Sequence, residues 1–254
     1  MRASRRLTLI RGLILLAFFC LLELLCDYGI IDSLTMQPPH RIAIDLVRLL
    51  ASGAFNRAIV RTLSNAMIAT TMAVVVGVTA ATLIHRSRGL REALDLVFST
   101  WYAVPILAFY PLLIVIFGLT SLPSIMIGFM QGFVAVIVTT LDGLDRVPRV
   151  LRKLARTQHM SALETTWLIT LPAAAPWLLS GVKLAIAFSI IGVVASEFLM
   201  AREGMGFEIS FAYNNFDNAR MYPLIVLVIA FSISINAILL RWEARLARRR
   251  GLLR

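Results

Sequence analysis

Charge is scarce in this sequence. Asp, Glu, Lys and Arg make up 15% of its 254 residues, where a soluble globular domain carries about a quarter. Two cysteines, Cys20 and Cys26, lie in or at the end of one apolar run. They fit no zinc or Cys-x-x-Cys spacing and read as apolar packing residues. Three histidines, His40, His85 and His159, fall in three separate polar segments and form no cluster. The phosphate-cradling Gly-x-x-x-x-Gly-Lys-Ser/Thr loop is absent, as are His-Glu-x-x-His and Gly-x-Ser-x-Gly, and nothing pairs a nucleophile with a base. No catalytic, cofactor-binding or metal-binding residue is therefore assigned. An enzyme embedded in a membrane, built on Glu197, Lys183 or a histidine, is the weakest of the functional readings.

Apolar residues are what the chain has in quantity: 59% of the total, with a mean hydropathy of +0.83. They gather in runs near the roughly 20 residues that cross a bilayer as a helix. Six spans are expected, at about 7–26, 63–84, 94–118, 124–141, 176–200 and 221–240. The expected fold is an all-α membrane protein. The basic start and first apolar run look like a signal peptide, but no small-x-small cleavage site follows, and the run is read as an uncleaved span. Glu23 within it should face other helices or the interface. After the helix-breaking Pro38-Pro39 pair, Ile42, Leu46, Leu49 and Leu50 recur at helical spacing and predict a short amphipathic helix along the membrane surface. The chain divides into an N-terminal span with its amphipathic segment (1–57), a five-span core (58–245) and a basic tail (246–254).

Several polar or helix-breaking residues fall inside the apolar runs. Pro105 and Pro111 in the third span free backbone carbonyls that neighbours must satisfy, and Trp101, Tyr102 and Tyr110 add polar-tipped rings. A kinked packing helix and a pore-lining one both account for them. Gln131 in the fourth span needs a partner. Lys183 and Glu197 in the fifth are ionisable, and each lies near enough to an end to snorkel, so that reading stands beside a functional one. The pore-lining candidates are Trp101, Tyr102, Pro105, Pro111, Gln131 and Glu197. Residues 201–220 read as a polar loop turned by Gly204 and Gly206.

A net charge of +11 invites a nucleic-acid reading, but the arginines flank apolar runs and form no stripe on a soluble face. With both termini cytoplasmic, the inner segments hold eighteen basic residues and the outer ones six (Arg41, Arg48, Arg57, Arg61, Arg202, Arg220). That bias puts the longest polar stretch, 141–176, in the cytosol.

Within that stretch Ile169, Leu171 and Pro172 resemble a signature of the integral-membrane permease subunits of bacterial ABC importers: Glu-Ala-Ala, three residues, Gly, nine residues, Ile, any residue, Leu-Pro. In this register His159 takes the glycine position and Lys153, Leu154 and Ala155 the Glu-Ala-Ala slot, of which only Ala155 matches. Lys153 reverses a charge, and His159 stands where glycine would adopt a left-handed turn more easily. The segments TLSNAMIATTMAVVVGVTAA, VPILAFYPLLIVIFGLTSLPSIMIG, TTLDGL, GVKLAIAFSIIGVVASEFL and GMGFEISFAYNNFDNARMYPLIVLV resemble, in order, the branch of that family serving nitrate, sulfonate, taurine and similar solutes. The resemblance covers about residues 62–245. It implies a type I permease fold of six transmembrane helices, with a cytosolic coupling helix between the fourth and fifth at about 159–166. Ala155, His159, Met160, Ser161, Ala162, Leu163, Glu164, Ile169, Leu171 and Pro172 would contact the ATPase. It further implies a multi-pass inner-membrane homodimer in contact with lipid. Its partners would be ATPase subunits that bind the ATP and a periplasmic substrate-binding protein. The alternative is a self-contained channel or secondary transporter, whose expected signs are inverted repeats and a broken-helix site.

Overall fold

The computed structural model of the chain describes residues 2–32 and 35–249, with side chains over 10–32 and 35–241. Among these residues there is no strand, and the helices run in order as α1 (Arg2–Asp27), α2 (Pro39–Ser52), α3 (Asn56–His85) and α4 (Arg88–Trp101). A 3₁₀ turn (Ile106–Phe109) leads into α5 (Tyr110–Phe117), followed by α6 (Leu122–Asp145), α7 (Arg149–Thr157) and the short α8 (Ala162–Glu164). A π-helical turn (Thr165–Thr170) then feeds α9 (Leu171–Met200), α10 (Met205–Asn214) and α11 (Asn218–Arg249). Residues 250–254, the end of the predicted basic tail, lie outside the described residues, and 246–249 continue α11.

Four of the described helices are long and apolar enough to cross a membrane: Asn56–His85, Leu122–Asp145, Ala162–Met200 and Asn218–Arg241. They correspond to the predicted second, fourth, fifth and sixth spans. The first predicted span is one continuous helix, α1, whose described part carries Arg11, Glu23 and Asp27 along its apolar run. The Glu23 carboxylate accepts bonds from the backbone N–H and ring of His40, at the start of α2. It thereby fills the place a capping side chain takes at a helix N-terminus.

The centre is the triplet α3, α6 and α9. On α3 the buried positions Ala58, Thr62, Ala66, Ala69, Ala73, Gly77 and Ala81 recur every three or four residues and are all small. Without a hydrophobic drive between helices in lipid, association rests on close backbone approach, and small side chains permit it. The approach is tightest where α6 and α9 cross: a Cβ on Gly192 would lie 3.0 Å from the Gly128 Cα and 3.2 Å from the Ile127 carbonyl oxygen. Gly192→Leu should therefore cost more than the about 1–3 kcal/mol of ordinary overpacking, because backbone and not a movable side chain blocks the space. Size-exclusion chromatography in detergent should show no monodisperse peak for this variant. A wild-type profile and melting temperature would contradict this packing.

Two expectations need correction. The third span is not one helix over 94–118. Its two arms, Arg88–Trp101 and Ile106–Phe117, meet at 91°. Pro105 lacks the N–H a continuing helix would need, while Pro111 lies in the first turn of α5, where a proline suits helix initiation. Residues 201–220 are not a plain loop either. Met205, Ile209 and Ala212 are buried on one side of α10, which packs on α3, α9 and α11. The amphipathic α2 buries Ile42 and Leu49, and Leu46 packs in a cluster with Ile209, Leu224 and Leu227. Part of its apolar face is thus satisfied by α11, while Ile44, Val47 and Leu50 stay exposed.

Candidate functional site

The turn between α7 and α8 is built from local bonds. The Met160 N–H donates to the Ala155 carbonyl at 3.0 Å and the His159 N–H to that of Arg156 at 3.1 Å. This six-to-one and five-to-two pair is a Schellman motif, whose C′ residue is left-handed and usually glycine. His159 is that residue, with φ 51°. One residue after Met160 a new helix is capped. The Ser161 hydroxyl accepts from the Glu164 N–H at 3.2 Å, and the Glu164 carboxylate accepts from the Ser161 N–H at 2.8 Å. These reciprocal bonds are a capping box. Ala155 is only 2% exposed, which accounts for an alanine there, whereas Lys153 and Leu154 are exposed.

Past Glu164 the backbone widens: the Leu171 N–H bonds the Thr166 carbonyl, five residues back. Pro172 has no N–H to give the Leu168 carbonyl, so the ordinary four-residue ladder cannot continue through it. Leu171 is buried with Leu144, Val147 and Ala174, and Ile169 is half-buried. The outer face is left bare, with Leu163 63% and Trp167 64% exposed.

Polar contacts tie this hairpin to the bundle. Arg152 donates to the Leu144 carbonyl at 2.7 Å, near the C-terminus of α6. Asp145 meets Arg91 at 3.2 Å and His85 at 3.2 Å, joining the ends of α3, α4 and α6. Arg146 lies over the Trp177 ring. Arg146 and Arg152 are thus internal fasteners.

The break in the split span opens a cavity of about 380 Å³ lined by Trp101, Tyr102, Pro105, Gln131, Phe188 and Ile191, among others. Four of the six pore-lining candidates thus meet at one place. Pro111 is exposed on α5 and Glu197 is elsewhere. Glu197 is 1% exposed, which excludes the snorkelling expected of a residue near the end of its helix. Its carboxylate accepts from the Thr62 hydroxyl at 2.6 Å, the Asn65 amide at 3.3 Å and the Gly206 N–H at 3.2 Å. Thr62 in turn accepts from the Met205 N–H at 2.7 Å. One carboxylate thereby caps α10 and fastens it to α3 and α9. Gly206 is required for this approach, because a Cβ would run into the Val194 carbonyl. Further along α10, burial pushes the Glu208 carboxyl above its ordinary range against the opposing pull of Arg220.

A profile of the family described as binding-protein-dependent transport system inner membrane component matches residues 73–251. The chain belongs to this family. Among curated relatives, the nitrate import permease protein NrtB of Leptolyngbya laminosa is 30% identical over 167 residues, 66% of this chain and 60% of the relative. The taurine transport system permease protein TauC of Escherichia coli is 26% identical over 188 residues, 72% of this chain and 68% of that one. The riboflavin transport system permease protein RibX of Chloroflexus aurantiacus is 26% identical over 164 residues. The chain spans about 60% of the length of the Leptolyngbya permease and 52% of its Synechocystis counterpart. In structure it resembles a subunit of the MetNI methionine ABC transporter in an inward-facing form. The TM-score is 0.64 at 17% identity, over 79% of this chain and 96% of that one. An amino acid ABC transporter solved with histidines gives 0.60 at 14% identity, over 80% and 97%. These likenesses establish the permease fold.

Family membership makes sense of the departures. His159, set against the signature's glycine by the spacing of Ile169, Leu171 and Pro172, takes the left-handed backbone that glycine adopts most easily. Thr62 and Asn65, the partners of Glu197, carry little signal in the sequence. Their signal was two polar residues three apart on the small-residue face of α3, which resembled ordinary helix surface.

Proposed function

We propose that the chain is the membrane-spanning permease subunit of an ATP-driven importer, and that the 155–164 hairpin is where its motor engages. The observation that carries this is the pairing of a bonded turn, anchored by the buried Ala155, with a bare apolar tip. Leu163 and Trp167 follow the turn set by His159, Ser161 and Glu164 and stay exposed among the described residues. A short helix of this kind fits a cleft on a partner ATPase, and the flanking Arg149, Lys153 and Arg156 suit acidic groups on its rim. The chain holds no cofactor of its own, and ATP is bound by the partner. Two copies form the pore, both termini lie in the cytoplasm with α1 as a sixth span, and a periplasmic binding protein delivers a small solute to the outer ends, including 201–220. The relatives' names span nitrate, taurine, bicarbonate and riboflavin, which leaves the solute class open between inorganic and organic. ATP-driven closure of the motor shifts the pore between outward and inward access, each partner favouring one state.

The split third span is a feature also expected of a self-contained transporter. The coupling hairpin is not, and the test is made there. Co-purified with its neighbouring ATPase in lipid vesicles, the chain should support solute-stimulated ATP hydrolysis. Leu163→Asp should reduce that stimulation at least tenfold with an unchanged melting temperature, since the side chain is exposed. Failure to co-purify, or full stimulation in the variant, would sink the coupling role.

A further inference from the structure

The cavity at the split span has the make-up of a solute site. Trp101 is fixed in its wall: the indole N–H donates to the Met130 carbonyl at 3.1 Å, and its ring meets that of Phe133 edge-on at 5.6 Å. Tyr102 and Phe188 lie across from each other with centroids 6.1 Å apart. The Gln131 amide and the Tyr102 hydroxyl also line this space, and neither has a hydrogen-bond partner among the described residues. A half-buried amide with unused donors and acceptors is costly against hydrocarbon, so an acyl chain is a poor occupant. No ionised side chain is among the lining residues. A small anion entering here would shed water without meeting a counter-charge. Flat ring faces beside one amide and one phenol suit a planar body with a polar edge. The volume of about 380 Å³ lies in the range of small-molecule pockets, about 300–1,000 Å³.

We propose that this cavity binds a neutral, planar heteroaromatic solute, stacked against Trp101, Tyr102 and Phe188, with its carbonyl or ring N–H groups read by Gln131 and Tyr102. The assignment rests on the permease reading and narrows its solute class.

The test uses the full chain in lipid nanodiscs, with Trp167→Phe, Trp177→Phe and Trp242→Phe so that Trp101 is the sole tryptophan, excited selectively over the tyrosines. The probe is lumichrome, a neutral tricyclic alloxazine. Saturable quenching of Trp101 is expected. Gln131→Leu should weaken it about tenfold, the loss of one well-placed hydrogen bond. Tyr102→Phe should weaken it by a smaller factor, and because that side chain is exposed the variant keeps the fold. Nitrate and taurine should neither quench nor displace the probe. Displacement by either solute, or quenching indifferent to both substitutions, would overturn the assignment. So would brominated-acyl-chain lipid that quenches Trp101 as deeply as a tryptophan at exposed Val115 (Val115→Trp), since the cavity would then hold lipid. No ATPase enters these measurements. Saturable binding alongside a failed coupling assay sinks only the importer reading, and the reverse result sinks only the cavity.

Discussion

Glu197→Ala is expected to release α10 from the bundle. The carboxylate is the acceptor for Thr62, Asn65 and the Gly206 N–H, and through Thr62 it also fixes the Met205 N–H. Alanine would leave those donors buried without partners, at about 1–3 kcal/mol for each group so orphaned. Few membrane proteins of this size have stability to spare for several such losses. The variant should lose its monodisperse peak at a much lower temperature than wild type. Protease should cut near Asn214 and Asn215 under conditions that leave the parent intact. Glu197→Gln retains one acceptor oxygen and adds a donor that can reach Thr62, so it should fall between the two. An alanine variant that melts with wild type and resists protease would show that the network does not hold α10. A buried carboxylate in a span is expensive unless fully bonded, and here it is bonded by two side chains and a helix N-terminus. That arrangement makes Glu197 a fastener between elements and not an open wall of a pore within the protomer.

Substitutions at His159 should move in opposite directions. The residue holds φ 51°, a conformation that costs a side chain with a Cβ about 1–2 kcal/mol and glycine almost nothing. His159→Gly should stabilise the hairpin by about 1 kcal/mol at most, part of the gain being lost to the freer unfolded chain. Proline cannot reach this φ and lacks the N–H that bonds the Arg156 carbonyl. His159→Pro should therefore cost about 3 kcal/mol or more locally, misplace Ser161 and Glu164, and abolish stimulation of the partner ATPase. Thermal melting and vesicle ATPase assays on the pair decide the matter. Equal activity in both variants would mean that the Schellman turn does not set the position of the proposed coupling helix.

Part of this architecture is legible in the sequence alone. The spans starting near 63, 124, 176 and 221 were legible because lipid imposes one simple demand, about 20 apolar residues whose backbone bonds close within the segment. The family was legible through the spacing of Ile169, Leu171 and Pro172, and the profile matching residues 73–251 shows that family. The left-handed turn at 159 could be anticipated from the glycine it replaces. These are local matters, decided by residues close in sequence.

Other features depended on partners far along the chain. Glu197 could have snorkelled or been buried, and Thr62, 135 residues away, decided it. The helix α10 hid in a polar segment because its core-facing residues, Met205, Ile209 and Ala212, are few and small enough to pass for a loop. The two prolines of the third span predicted disturbance but not its form. The 91° break needed Met130 and Phe133 to hold Trp101 on one side of it. Apolar length, charge bias and capping chemistry reside in the sequence by itself, since each is settled within a few residues. Which polar group meets which, and where a broken helix leaves a cavity, was decided only by tertiary structure, because the free energy of a buried donor depends on an acceptor that packing alone brings near.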